Sequence, residues 1–142
     1  MKTNRDITKL RKKAKNGDAS AMADIGDCYM YGDGVKVNEV KAVKWYHEAA
    51  KAGELYAMYW LSLCYLKGIG VEMNDKEAVK WLKTAAKAGY DDAAFLLALC
   101  YYNRWGVDFN KKKVIKWLKK AARDMDLNYG IIKGDDLLSV KV

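Results

Sequence analysis

Apolar residues recur at helical spacing along most of the chain, in stretches separated by short loops that contain glycine. From Ala57 to Tyr65 they fall at positions i, i+4, i+7 and i+8, and a second helical set runs from Ala78 to Ala86. The loop between the two sets, KGIGVEMN, has the composition of a turn. This part of the sequence therefore predicts two helices that form a hairpin.

The same hairpin pattern occurs three times with a constant period of 36 residues. Its second helix reads KAVKWYHEAAKAG, EAVKWLKTAAKAG and KVIKWLKKAARDM. Aligning residues 17–52 with residues 53–88 without gaps gives 17 identities in 36 positions, which chance does not produce. We therefore predict a repeat protein with repeats at 17–52, 53–88 and 89–124, the third being the most divergent.

Each repeat places turn and capping residues at fixed positions. The last loop glycine permits a positive φ, and the asparagine four residues later is among the best helix N-caps. These pairs are Gly34 and Asn38, Gly70 and Asn74, and Gly106 and Asn110. Gly53 and Gly89 follow the second helix as C-terminal stops. Arg104 stands where the other loops have Gly32 and Gly68, which leaves open a different path for the third loop.

The other shared positions have packing explanations. Paired alanines on each second helix allow close helix approach, and the preceding tryptophan fills the space between neighbouring hairpins. The tryptophans are Trp45, Trp81 and Trp117. Cysteines also occur once per repeat, at Cys28, Cys64 and Cys100. Because their number is odd and their spacing is one repeat, we predict small buried hydrophobic residues rather than disulfides.

The repeated pattern resembles the Sel1-like repeat family, relatives of the tetratricopeptide repeats. Its parts are A-x-x-x-[IL]-[GSA]-x-x-Y, then G-x-G-V-x-x-N, then K/E-A-V-K-W-x-x-x-A-A-K-A-G, and it covers residues 17 to about 124. The tetratricopeptide unit is the near alternative, but its period is 34 residues and it lacks the Gly-x-Gly-Val loop.

The resemblance implies an all-α fold, a right-handed α/α superhelix or solenoid of three helix-hairpin repeats. It also implies that the first helices line a concave surface that binds other proteins. A cysteine-rich branch of the family has two cysteines per unit, and some members have been described as weakly penicillin-binding or β-lactamase-like. This sequence has one cysteine per unit, so such an activity is the weakest of the functional hypotheses.

The two ends of the chain differ from the repeats. In repeat register, Ile7, Leu10 and Ala14 match core positions of a second helix, so residues 4–16 are predicted to be a capping helix. Residues 125–142 are expected to form either a short closing helix from about Asp135 or a tail. The whole chain, 1–142, is interpreted as one repeat domain.

Candidate binding residues lie on the first helices, where the repeats differ. The positions that are small and polar in the first repeat are mostly apolar or aromatic in the other two. In the second repeat they are Tyr56, Tyr59, Trp60 and Leu63, and in the third they are Asp92, Phe95, Leu96 and Leu99, followed by Tyr102. One interpretation is an apolar groove for a helix or extended peptide of a partner protein. The other is that these side chains are buried against one another or beneath the C-terminal segment.

Charge supplies a second hypothesis. The 142 residues have a net charge of +8, and basic residues cluster at 2–15 and 111–123. Lys112, Lys116 and Lys120 could bind nucleic acid or another polyanion. The two basic segments lie at opposite ends of the predicted solenoid, and they offer few aromatic residues for base stacking. A protein partner is therefore favoured, and a homodimer that extends the repeat stack is a further hypothesis.

Other classes of function receive no support from the sequence. His47 is the only histidine, so no zinc site of ordinary spacing can be assembled, and no cofactor or metal is predicted. No nucleophile has an activating sequence context, which argues against an enzyme. No apolar run is long enough to span a membrane, and no secretory signal is visible. We expect a cytoplasmic protein.

Overall fold

The computed structural model describes residues 6–122, and this part of the chain contains seven α-helices and no strand. The helices are α1 Ile7–Lys15, α2 Ala19–Tyr31, α3 Glu39–Lys51, α4 Leu55–Lys67, α5 Asp75–Lys87, α6 Asp91–Asn103 and α7 Lys111–Ala121. The predicted capping helix corresponds to α1. The predicted closing segment, 125–142, lies outside the described residues.

The chain divides into two compact units, with the boundary between Asn74 and Asp75. In the first unit, α2 packs most extensively against α3, while α1 packs on α2 and α4 packs on α3. In the second unit, α6 packs against both α5 and α7. The first and third predicted hairpins are therefore the packed pairs α2–α3 and α6–α7.

The cores contain the small and bulky residues that recur in the sequence. All three cysteines are buried and free, as predicted. Burial raises the pKa of the Cys64 thiol to about 11, with a further contribution from Glu39. Burial raises the pKa of Cys100 to about 12, with a smaller contribution from Asp75. Because both thiols are protonated at neutral pH, they act as small hydrophobic side chains.

The helix ends confirm several of the predicted caps. The side chains of Asn38 and Asn110 accept hydrogen bonds of 3.0 Å from the backbone N–H groups of Lys41 and Lys113. Gly53 adopts φ +94° directly after the C-terminal turn of α3, and Gly89 adopts φ +97° after α5. These residues satisfy backbone groups that a helix end leaves without partners.

Arg104 resolves the open question about the third loop, which keeps the path of the other two. Its φ and ψ are 61° and 34°, against 71° and 37° for Gly32 and 68° and 38° for Gly68. In each case the backbone N–H donates to the carbonyl of the preceding repeat cysteine. Among the described residues, Arg104 is the only non-glycine residue with positive φ. The third repeat therefore retains the turn with a side chain that is poorly suited to it.

Replacing Arg104 with glycine is expected to stabilise the protein. The left-handed conformation costs a residue with a Cβ about 1–2 kcal/mol, and the greater freedom of glycine in the unfolded chain offsets about half of that gain. We expect the free energy of unfolding in urea to rise by about 0.5–1 kcal/mol. Asn103→Gly, one position earlier inside α6, is the control and is expected to lower stability. A decrease in the free energy of unfolding of Arg104→Gly would show that the left-handed conformation of Arg104 does not cost stability.

Candidate functional site

The predicted residues of the second repeat form an aromatic cluster on α4. Tyr56, Tyr59, Trp60 and Leu63 are all half-buried. The Trp60 ring is paired with both tyrosine rings, with centroid distances of 6.1 Å to Tyr56 and 5.8 Å to Tyr59. Both pairs are tilted rather than stacked face to face, which is a favourable arrangement for aromatic rings. We define the α4 face as Tyr56, Tyr59, Trp60 and Leu63. It retains accessible aromatic surface.

A carboxylate of the first repeat fixes one member of the α4 face. The Tyr56 hydroxyl lies 3.1 and 3.0 Å from the two carboxylate oxygens of Asp27, and the Tyr46 hydroxyl donates to Asp27 Oδ1 at 2.5 Å. Burial, followed by the hydrogen bond and charge of Asp27, raises the pKa of Tyr46 far above its ordinary value. Tyr56 is therefore anchored by Asp27 through its hydroxyl, while its side chain remains half-buried.

The predicted residues of the third repeat have different degrees of exposure on α6. Phe95 is 50% exposed, Leu99 and Tyr102 are half-buried, and Leu96 is only 8% exposed. Phe95, Leu99 and Tyr102 have the i, i+4, i+7 spacing of one helix face. Leu96 contributes mainly to the core and offers little surface to a partner. The partner-binding role of all eight residues stays a prediction.

Two exposed aromatic residues next to this face were missed by the sequence reasoning. Phe109 is 43% exposed, and its ring lies edge-on to Tyr102 with a centroid distance of 6.3 Å. Trp105 lies with Phe109 in the loop between α6 and α7 and is 39% exposed. A signal was available, because the residue before the N-cap asparagine is apolar in every repeat. Val37 and Met73, the counterparts of Phe109 in the first and second repeats, are also exposed. We define the α6 face as Phe95, Leu99, Tyr102 and Phe109.

The lysines predicted to bind polyanions are exposed on α7. Lys112, Lys116 and Lys120 are spaced by four residues and so share one side of the helix. The ammonium groups of Lys116 and Lys120 each lie 5.0 Å from the centroid of the buried Trp117 ring. Trp117 is therefore covered by cations and is not a platform for an unpaired base.

Within residues 6–122, no group of three or more histidine, cysteine or acidic residues could hold a metal ion. His47 is half-buried on α3. No helix in the same range is long and apolar enough to cross a membrane. The residues predicted from the sequence to bind a partner or a polyanion lie on the two apolar faces and the basic side of α7, except for Leu96, which is buried.

The chain is similar to known repeat proteins in both sequence and structure. The sequence model of the Sel1 repeat matches residues 19–54, 55–90 and 91–124. The chain is similar to the crystal structure of a Sel1 repeat protein from Oxalobacter formigenes, with 33% identity and a TM-score of 0.78 over 82% of this chain. None of the curated proteins compared with the chain matches it significantly.

Two further solved structures extend the likeness. The first is c5321, a protective antigen of uropathogenic Escherichia coli with an SLR fold. Its identity is 33% and its TM-score 0.81 over 84% of this chain. The second is Helicobacter pylori cysteine rich protein B, at 18% identity and a TM-score of 0.64, covering 92% of this chain and 96% of that one; it shows the fold alone.

The lengths of these proteins also differ. The chain spans 48% of the Oxalobacter protein and 26% of c5321.

The predicted fold class, an all-α solenoid of helical repeats, is confirmed.

Proposed function

The chain belongs to the Sel1 repeat family, and we propose that it is an interaction module whose aromatic first-helix faces bind a helix or extended segment of a partner protein. Sel1 repeats generally mediate protein–protein interactions. The observation that carries the proposal is the α6 face, where Phe95 and Phe109 remain about half exposed although both are large and apolar. Exposed aromatic residues of this kind are typical anchors at protein interfaces.

The α4 face supports the proposal separately. Its central Trp60 is held by two tyrosine rings, and the Tyr56 hydroxyl is held by Asp27. A partner would therefore meet rings that are already ordered, which lowers the entropic cost of binding. We propose each face as a binding surface by itself. We further propose a cytoplasmic location, because buried free cysteines are usual in reducing compartments.

Nucleic-acid binding is the second candidate, and the contacts of α7 make it the weaker one. Lys112, Lys116 and Lys120 supply positive charge, but the Trp117 ring is covered by two ammonium groups. Phosphate contacts without stacking or base recognition give binding that falls steeply with salt. A β-lactamase-like activity has no proposed site, because the likeness to the cysteine rich protein B concerns the fold alone.

Partner capture tests the protein-interaction proposal. We expect in-cell cross-linking followed by mass spectrometry to recover a partner with the wild-type chain and to lose it with Phe95→Ser/Phe109→Ser. The matched control is Val37→Ser/Val40→Ser, which removes two apolar side chains that are each 54% exposed, and it should retain the partner. If the captured species is a second copy of this chain, the faces serve a homodimer. Equal recovery with both double variants would reject the α6 face as the binding surface.

A further inference from the structure

A cleft of about 200 Å³ in the second compact unit is lined mainly by lysines, of which only Lys116 also belongs to the basic side of α7. Its walls come from three helices: Lys83 and Lys87 from α5, Tyr101 from α6, and Lys113, Lys116 and Trp117 from α7. We propose that this cleft binds a phosphate group, carried by a phosphate monoester or a short polyphosphate. The proposal does not depend on the aromatic faces, since none of their residues lines the cleft.

The electrostatics of the cleft favour an anion. Four of its six lining residues are lysines and none is acidic. Within residues 6–122, none of these four lysines forms an ion pair with a carboxylate. Residues 75–122 contain eleven basic and five acidic side chains, so the surroundings reinforce the field. Lys87, Lys113 and Lys116 are exposed and Lys83 is half-buried, so their positive charges face one solvent-accessible cleft that attracts anions.

The two aromatic rings position lysines and leave little ring surface for a ligand. Lys113 Nζ lies 5.2 Å from the centroid of Tyr101, and Lys116 Nζ lies 5.0 Å from that of Trp117. Both rings are buried, with only 4% of each residue exposed. Cation–π contacts of this length restrict long, flexible side chains at modest cost. A ligand would therefore be recognised by ammonium N–H donors and not by stacking on a ring.

Size and charge together favour phosphate over carboxylate or nucleic acid. A volume of about 200 Å³ equals roughly seven water molecules, which suits one or two phosphate groups and excludes a duplex. A phosphate monoester carries a charge of about −1.5 to −2 and three strong acceptor oxygens, whereas a carboxylate carries a single charge. The cleft has no arginine for bidentate recognition, and lysine binds phosphate as a point charge.

Calorimetric titration with inorganic diphosphate tests the site. We expect saturable binding to the wild-type protein, weakened by about tenfold or more in Lys83→Gln/Lys116→Gln, because two charge-assisted hydrogen bonds are lost. The control Lys80→Gln/Lys119→Gln removes the same charge from exposed positions of the same helices that do not line the cleft. Its affinity should stay within about twofold, since charges outside the cleft are screened by salt.

Titrations with other ligands identify the molecule that carries the phosphate and can disprove the site. Tighter binding of a phosphoserine peptide than of diphosphate, with no binding of its unphosphorylated form, would indicate a phosphorylated protein; the reverse order would indicate a free polyphosphate. Equal weakening in both double variants, or oligouridylate binding that both reduce alike, would show diffuse attraction and overturn the site. Absence of diphosphate binding at millimolar concentration would also overturn it. Phe95→Ser/Phe109→Ser should bind diphosphate normally, so this test and the partner test fail independently.

Discussion

Gly70→Ala is expected to lower the free energy of unfolding by about 3–5 kcal/mol, a large part of the stability of a small domain. Gly70 adopts φ +66°, a conformation that costs a residue with a Cβ about 1–2 kcal/mol. The added Cβ would also collide with the carbonyl oxygen of Glu39, the first residue of α3, and lie 2.6 Å from its carbonyl carbon. Since the obstacle is backbone, it cannot be relieved by a side-chain rotation.

Gly53→Ala separates these two costs. Gly53 has φ +94°, but a Cβ there would meet no atom within 4 Å. It should therefore show only the conformational cost, about 1–2 kcal/mol before the same unfolded-state offset that applies at Arg104. Urea denaturation of both variants measures the difference, which we attribute to the contact between Gly70 and Glu39. Equal losses in the two variants would mean that the contact is not close in solution.

The second large effect is at Gly26, where replacement by alanine should lower stability instead of raising it as it usually does inside a helix. This residue lies inside α2, where alanine is normally about 1 kcal/mol more stable than glycine. Here a Cβ would lie 2.6 Å from Cε1 of Tyr46, which is fully buried and hydrogen-bonded to Asp27. Because the ring cannot withdraw without breaking that bond, we expect Gly26→Ala to destabilise the protein by about 1–3 kcal/mol.

The repeats themselves provide the compensating change. The second repeat has Ser62 with Leu82 at the two equivalent positions, and the third has Ala98 with Leu118. In a Tyr46→Leu background, Gly26→Ala should therefore become stabilising by up to about 1 kcal/mol, although Tyr46→Leu alone is destabilising. A double-mutant cycle of thermal or urea unfolding measures the coupling. Additive effects would show that Gly26 and Tyr46 are not a matched pair.

The repeat spacing allowed most of the fold to be predicted. A period of 36 residues located the helix pairs, the caps at Asn38 and Asn110 and the buried cysteines, because those features depend on local sequence. Gly70 and Gly106 were assigned positive φ correctly, but their second role was not visible. Each packs against the backbone at the start of an earlier second helix, Glu39 or Asp75, and such a contact depends on tertiary structure.

The candidate site was harder to predict, because exposure depends on neighbouring elements. Leu96 and Phe95 are adjacent and equally apolar in sequence, yet one is buried and the other half exposed. Phe109 was overlooked since it belongs to a loop that was interpreted only as a turn. The Asp27 network also had no sequence signal, because its tyrosines come from two other helices, 19 and 29 residues away.

If the α6 face binds a partner protein, the affinity for the captured partner should depend on the exposed aromatic residues of that face. Aromatic anchors at interfaces typically contribute more than about 1 kcal/mol each, so Phe95→Ser/Phe109→Ser should raise Kd by roughly tenfold or more. Val37→Ser/Val40→Ser should leave Kd within about twofold, because side chains outside an interface contribute little. A Kd that is the same for both double variants and the wild-type protein would show that the α6 face is not the binding surface.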